Sequence, residues 1–222
     1  MQEYEDKPCL GHTSCESCGS SDANAIYENG TYCFSCCRYE PTNDGDEQPT
    51  PTGFEKMTDN KIPDKIYAAP IKGIKERKIQ TKTAEFFGVR STRDADGNTL
   101  AHYYPYTKGG VEVAYKERIV EGKKFMTHGD FKNVELFGQS KFSQGGLKLV
   151  ITEGEIDALS VAEAQFQKSG KFWPVVSIPS GASSTRVLLD QLDWIRSFKE
   201  VILMMDSDAP GIKAQGEAAK II

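Results

Sequence analysis

Four acidic side chains late in the chain have the types and spacing to do chemistry. Glu153 follows the apolar run of "KLVITEG", Asp157 comes one helical turn later, and Asp206 and Asp208 follow the apolar run of "VILMMDSDAPG". Carboxylates gathered in one cleft repel and raise one another's pKa values. Hard divalent cations relieve that repulsion, and magnesium is usually held by one or two carboxylates together with waters and substrate phosphates. Such ions can activate an attacking hydroxyl and stabilise a departing pyrophosphate. A lone Asp in a loop more simply caps a helix, whereas a Glu and a DxD at two strand ends favour a site.

A second constellation lies near the start. Cys15 and Cys18, then Cys33 and Cys36, form two CxxC pairs separated by fourteen residues. Two such knuckles joined by a hairpin place four thiolates at the corners of a tetrahedron, which suits one structural zinc ion. Cys37 offers an alternative to Cys36, and Cys9 and His12 lie outside the pattern. A unit of residues 1–39 has too little core to fold without such a staple.

The elements that must position these groups follow from periodicity. "AIYENGTYCF" reads as a β-hairpin around Asn29-Gly30 between the cysteine pairs. Residues 40–64 are rich in Pro, Thr, Gly and acids, lack apolar periodicity, and read as a flexible acidic tether. In residues 65–141, "IKERKIQTKTAEFFG" has a helical pattern ending at Gly88, and "LAHYYPYT", "VEVAYKERIV" and "KKFMTHG" alternate as strands of an antiparallel sheet. In residues 142–222, the runs "KLVIT", "PVVSIP" and "EVILMM" alternate with helical stretches, which predicts βαβ units and a parallel sheet. Ligands collect at the carboxyl ends of such strands, where Glu153 and the two aspartates fall. The fold class expected is therefore α+β and α/β: a zinc ribbon, a mixed basic domain and a parallel βαβ sheet.

Charge is segregated. The net charge is -5, yet residues 65–141 carry 15 basic and 9 acidic side chains. Lys116 and Arg118 stand two apart on one strand face, Lys123, Lys124 and Lys132 follow, and Tyr103, Tyr104, Tyr106 and Tyr115 interleave with them. Basic residues beside aromatics suit a nucleic-acid strand, with phosphates neutralised and bases stacked. No run reaches the eighteen apolar residues of a membrane span, and "MQEYEDKPC" lacks the features of a signal peptide. A cytoplasmic protein with reduced thiols and no membrane partner is expected.

"LVITEGEIDALSV" and "VILMMDSDAPGIKA" resemble the two acidic motifs of the Toprim domain. The order of a four-cysteine ribbon, a tether, a basic sheet with "AYKER", then "ELFG" before the first Toprim strand resembles the primase half of bacteriophage primase-helicases. The resemblance implies a DNA primase acting with zinc and magnesium on a single-stranded DNA template and ribonucleoside triphosphates, beside a replicative helicase. It gives Glu153 the role of general base or part of the metal site, Asp157, Asp206 and Asp208 metal-binding roles, and Cys15, Cys18, Cys33 and Cys36 the zinc. It gives Lys116 and Arg118 contacts to template or nucleotide, with Lys123 and Lys124 near them in the nucleic-acid path. Met126 replaces a basic residue expected after "KKF". The family's Toprim sheet continues beyond the point corresponding to Ile222, and no P-loop occurs, so a truncated Toprim domain is expected. The competing classes are a non-catalytic zinc-and-Toprim recombination mediator, disfavoured by the long stretch between the two motifs, and a Toprim nuclease, disfavoured by the ribbon.

Overall fold

A computed structural model describes residues 10–15, 24–27, 30–33, 38–41, 61–179 and 186–222. The chain divides into two units, residues 1–56 and 57–222. In the first, β1 (Gly11–Thr13), β2 (Asn24–Tyr27), β3 (Gly30–Cys33) and β4 (Arg38–Pro41) form an antiparallel sheet in chain order. Tyr27 pairs with Gly30, so Gly30 opens β3 rather than lying in the turn expected around Asn29-Gly30. Cys18, Cys36, Cys37 and Cys9 lie outside the described residues, as do residues 42–60, which hold most of the expected tether.

In the second unit, a short α1 (Asp64–Ala68) precedes a 3-10 turn over residues 75–77 and α2 (Thr81–Phe87). The helix expected from Ile74 is confined to α2, because Lys78 adopts a left-handed conformation with φ 55° and the backbones of Ile74 and Ile79 pair instead. Both isoleucines thereby reach the core. Gly88, at φ 74°, ends α2 where expected.

Strands β5 (Arg90–Arg93), β6 (Thr99–Lys108), β7 (Val111–Ile119) and β8 (Lys124–Gly129) then form an antiparallel sheet in chain order. Gly109 and Gly110, both at positive φ, connect β6 to β7, the backbone a two-residue hairpin loop needs. Register places His102, Arg118 and Phe125 in one row and Tyr104, Lys116 and Thr127 in the next, on one face. Tyr103, Glu117 and Met126 occupy the other face.

The last part contains β9 (Gly146–Thr152), α3 (Glu155–Ser169), β10 (Val175–Ser177), α4 (Arg186–Asp190), α5 (Leu192–Arg196), β11 (Phe198–Met204) and α6 (Ala209–Ile221). Its strands are parallel in the order β10-β9-β11. Val150 and Val175 pack with Ala158, Leu159 and Ala162 of α3 on one face, while Leu149 and Ile151 pack with Leu188, Ile195 and Ala218 on the other. This two-sided burial explains the unbroken apolar run of β9. Phe137 of "ELFG" exchanges backbone hydrogen bonds with Ser177 of β10, extending this sheet. The fold is mixed α/β with a parallel sheet.

Both faces of β6 and β7 are covered where their tyrosines lie. Tyr104 and Tyr106 join the core around α3, and Tyr103 and Tyr115 pack with Ile66 and Ala69 beside α1. All four tyrosines are at most 2% exposed, so none presents a ring for base stacking, contrary to the sequence expectation. Strand alternation sends two to each face, and neither face is open at those positions. Among the described residues, no helix is long and apolar enough to cross a membrane.

Candidate active site

Because β9 and β11 are neighbours, the segments following them meet. Met204 pairs with Thr152, and one residue beyond the end of β9 the Glu153 carboxylate accepts the Asp206 backbone N–H at 3.1 Å. Gly211 permits this arrangement: a Cβ there would lie 2.2 Å from the Asp206 carbonyl oxygen. Asp208 is the N-cap of α6 and accepts the Gly211 N–H at 2.9 Å, so its Oδ1 is engaged locally while Oδ2 is outside that contact.

Asp157 lies in the first turn of α3. Burial by the surrounding chain and then the Asp206 carboxylate push its carboxyl above the ordinary range, opposed by the Gly154 backbone and the charge of Arg77. Glu153, which holds the Asp206 backbone, stands four residues before Asp157, so the two aspartates flank the crevice where β9 and β11 end. Gly154 leaves space there, since a Cβ would lie 2.9 Å from Asp157 Oδ2.

Glu155 is the functional candidate that sequence reasoning missed. It is 4% exposed, accepts the Tyr106 hydroxyl at 2.5 Å, and accepts Lys116 Nζ at 2.8 Å. Lys116 also donates to the Pro179 carbonyl at 2.8 Å and sits 5.0 Å from the Phe125 ring centroid. The Lys116 ammonium is thus tied to the start of α3, two residues from Asp157 and Glu153. Burial, then the Glu155 charge and hydrogen bond, drive the Tyr106 phenol well above its ordinary pKa, so it stays a neutral donor. The sequence does carry a signal: Glu155, Ala158, Leu159 and Ala162 share the helical stripe that faces the core.

Arg118 lies beside the Lys116 row and has no carboxylate partner among the described residues. Its positive charge, after burial as the larger cause, helps hold the buried His102 imidazole down at about 4. His102 Nδ1 meets the Tyr104 hydroxyl at 3.0 Å, and its Nε2 is buried without a partner. Lys123 and Lys124 are exposed at the start of edge strand β8. Phe125, opposite Arg118, is 54% exposed and supplies the open aromatic ring that the tyrosines do not. Arg77, in the 3-10 turn, adds a charge that acts on Asp157, His102 and Tyr104.

Among the described residues, no three His, Cys, Asp or Glu side chains form a ready metal cluster. The Asp157 and Asp206 pair nevertheless fits magnesium chemically: both are hard oxygen donors, their repulsion would be relieved by a cation, and two carboxylates are within that ion's usual complement. For zinc, Thr13, Asn24 and Cys33 lie across one rung of the small sheet, with Cys15 two residues beyond Thr13. Cys15 and Cys33 are buried soft donors, and Cys18 and Cys36 fall outside the described residues.

Comparison with known proteins agrees with this architecture. Residues 150–222 match the Toprim-like family. The whole chain is 32% identical over 230 residues to the DNA helicase/primase of Enterobacteria phage T3, of which it spans 39%. It superposes on the primase fragment of the bacteriophage T7 primase-helicase protein with a TM-score of 0.63 and 30% identity, covering 97% of this chain and 87% of that one. A second T7 structure, of lagging-strand DNA polymerase interacting with primase domains bound to an RNA/DNA hybrid and dTTP, gives a TM-score of 0.60 and 34% identity over 70% of this chain and 76% of that one.

Proposed function

We propose that this chain, which belongs to the family of the bacteriophage T7 primase fragment, is a DNA primase that makes short RNA primers on single-stranded DNA. The observation that carries the reading is the meeting of Glu153 and Asp206 at the carboxyl ends of neighbouring parallel strands, beside the Lys116 and Arg118 rows.

Asp157 and Asp206 would hold magnesium, with Glu153 and the second oxygen of Asp208 as further donors. Magnesium bound there supplies polarisation of a phosphoryl oxygen and lowers the pKa of an attacking 3' hydroxyl. Glu153 fixes the Asp206 loop through Oε2, which leaves Oε1 to bind the ion or to take a proton. Lys116 and Arg118 set positive charge beside the crevice for the triphosphate or template, and Lys123 and Lys124 continue it along β8. Phe125 offers a face for a base. Cys15, Cys18, Cys33 and Cys36 hold one structural zinc, and that unit reads the template, joined by the acidic tether of residues 40–64 to a basic part at 65–141 and a Toprim part at 142–222. A replicative helicase, in the same polypeptide or separate, is the partner, and the host cytoplasm is the site of action.

The test is to incubate the chain with single-stranded DNA, magnesium and ribonucleotides. Short RNA is expected. Cut DNA would indicate a nuclease, and DNA binding without either product would indicate a mediator.

A further inference from the structure

His102 stands on the sheet face that carries Lys116 and Arg118, yet the polymerising centre makes no use of it. It is 2% exposed, its Nδ1 meets the Tyr104 hydroxyl at 3.0 Å, and its Nε2 has no hydrogen-bond partner among the described residues. A buried ring nitrogen left unpaired is costly, and such an atom often marks a contact made only in another state.

Arg118 is the nearest candidate for that contact. It lies directly opposite His102 on β7, an arrangement that starts two side chains about 5 Å apart. Arg118 is half-buried, and of the charges acting on His102 its own is the largest, followed by Glu76, Arg77 and Arg93. A guanidinium has five N–H donors and no acceptor, so it can grip a phosphate and still donate to an imidazole.

The surroundings select the tautomer. With the hydrogen on Nε2, a second donor would sit unpaired in a field of three guanidiniums, opposed by a Glu76 carboxylate that already accepts from Thr99. With the hydrogen on Nδ1, the Nε2 lone pair faces the cations and Nδ1–H donates to the Tyr104 oxygen. Burial and then the Glu155 charge hold the Tyr104 phenol well above its ordinary pKa, so it keeps its hydrogen for the carboxylate side. Glu155 there binds Lys116, which stands opposite Tyr104 in the next row.

We infer that His102 is a positioning residue: its Nε2 accepts an Arg118 N–H when Arg118 engages substrate, and Nδ1–H and the Tyr104 hydroxyl tie that guanidinium to the Glu155 and Lys116 pair. Arg118 is thereby held in one orientation beside the crevice. The inference rests on the reading of the chain as a polymerase with Arg118 at its substrate.

The first readout is independent of activity. The chain has three histidines, so nitrogen NMR of histidine-labelled protein gives few signals, and His102→Gln assigns the one in question. The hydrogen should reside on Nδ1, and Arg118→Gln should move it toward Nε2. A hydrogen on Nε2 in the unaltered chain would overturn the relay. The second readout is kcat/KM for ribonucleotide incorporation, with folding of each variant checked by thermal melting. His102→Phe should lower it about 10- to 100-fold, the worth of a hydrogen bond to a charged group. In an Arg118→Gln background the further loss should be at most about twofold, and His102→Gln, which keeps an acceptor and a donor, should restore most of the rate. Tyr104→Phe, which deletes only the hydroxyl, enters the same cycle with the same expectation. Equal losses in both backgrounds, or His102→Gln as poor as His102→Phe, would reduce His102 to packing and overturn the inference. A chain that makes no RNA would remove the primase reading, and the tautomer and its response to Arg118→Gln would then decide the relay.

Discussion

Replacing Glu155 by Ala should be among the most damaging single changes in residues 57–222. Lys116 Nζ lies 2.8 Å from Glu155 Oε1, and the two side chains are only 14% and 5% exposed. Removing the carboxylate leaves the ammonium with the Pro179 carbonyl alone and deprives the buried Tyr106 hydroxyl of its acceptor. Breaking a buried pair from one side costs about 3–5 kcal/mol, because the partner charge stays desolvated. For a unit of this size, each kcal/mol lowers Tm by about 2–4 °C, so the expected drop is about 6–20 °C. Urea unfolding gives the free energy, and thermal melting gives the second readout. Pairing Glu155→Leu with Lys116→Met should cost less than the sum of the singles, since no charge is then stranded. A Glu155→Ala loss below about 1 kcal/mol, the range of an exposed pair, would refute this account of the contact.

Three further outcomes follow from the same geometry. Folded His102 has its pKa lowered to about 4 by burial and by Arg118, so below the ordinary value of 6.5 the unfolded chain takes the proton first; unfolding free energy should fall by about 3 kcal/mol between those pH values, and His102→Gln should flatten that part of the curve. Asp157 is held above its ordinary range, so its ionised form opposes folding at neutral pH; Asp157→Asn should raise metal-free Tm while abolishing the Tm increase on adding magnesium. Gly211→Ala must push α6 away from the Asp206 loop, costing about 1–3 kcal/mol of stability together with RNA synthesis, both measurable on the purified chain.

The parallel sheet was legible in the sequence because its strands are fully buried runs and its helices carry a regular stripe. The crevice followed from it: once β9 and β11 adjoin, Glu153 and Asp206 meet. Asp208 shows the limit of that reasoning, since its position also suits an N-cap and one oxygen performs that role. The tyrosines were misjudged for a related reason. Alternation in "HYYPYT" assigns faces, but only tertiary packing shows that both faces are covered. Edge strand β8 lacks that cover, and Phe125, one residue before the position where a basic group was sought, is the open ring. Glu155 was hidden by its place at a helix start, where acids commonly serve the helix dipole. The left-handed Lys78 has no sequence signal, because lysine rarely adopts that backbone.

The central claim is that the carboxylates at the ends of β9 and β11 form a polymerising centre separable from template binding. Its most direct test is Asp206→Ala, with primer synthesis measured by incorporation of labelled ribonucleotide and DNA binding measured by anisotropy on the same preparation. Loss of RNA synthesis by several orders of magnitude, with single-stranded DNA affinity retained, is the expected result. Equal loss of both, or RNA synthesis that survives the substitution, would contradict it.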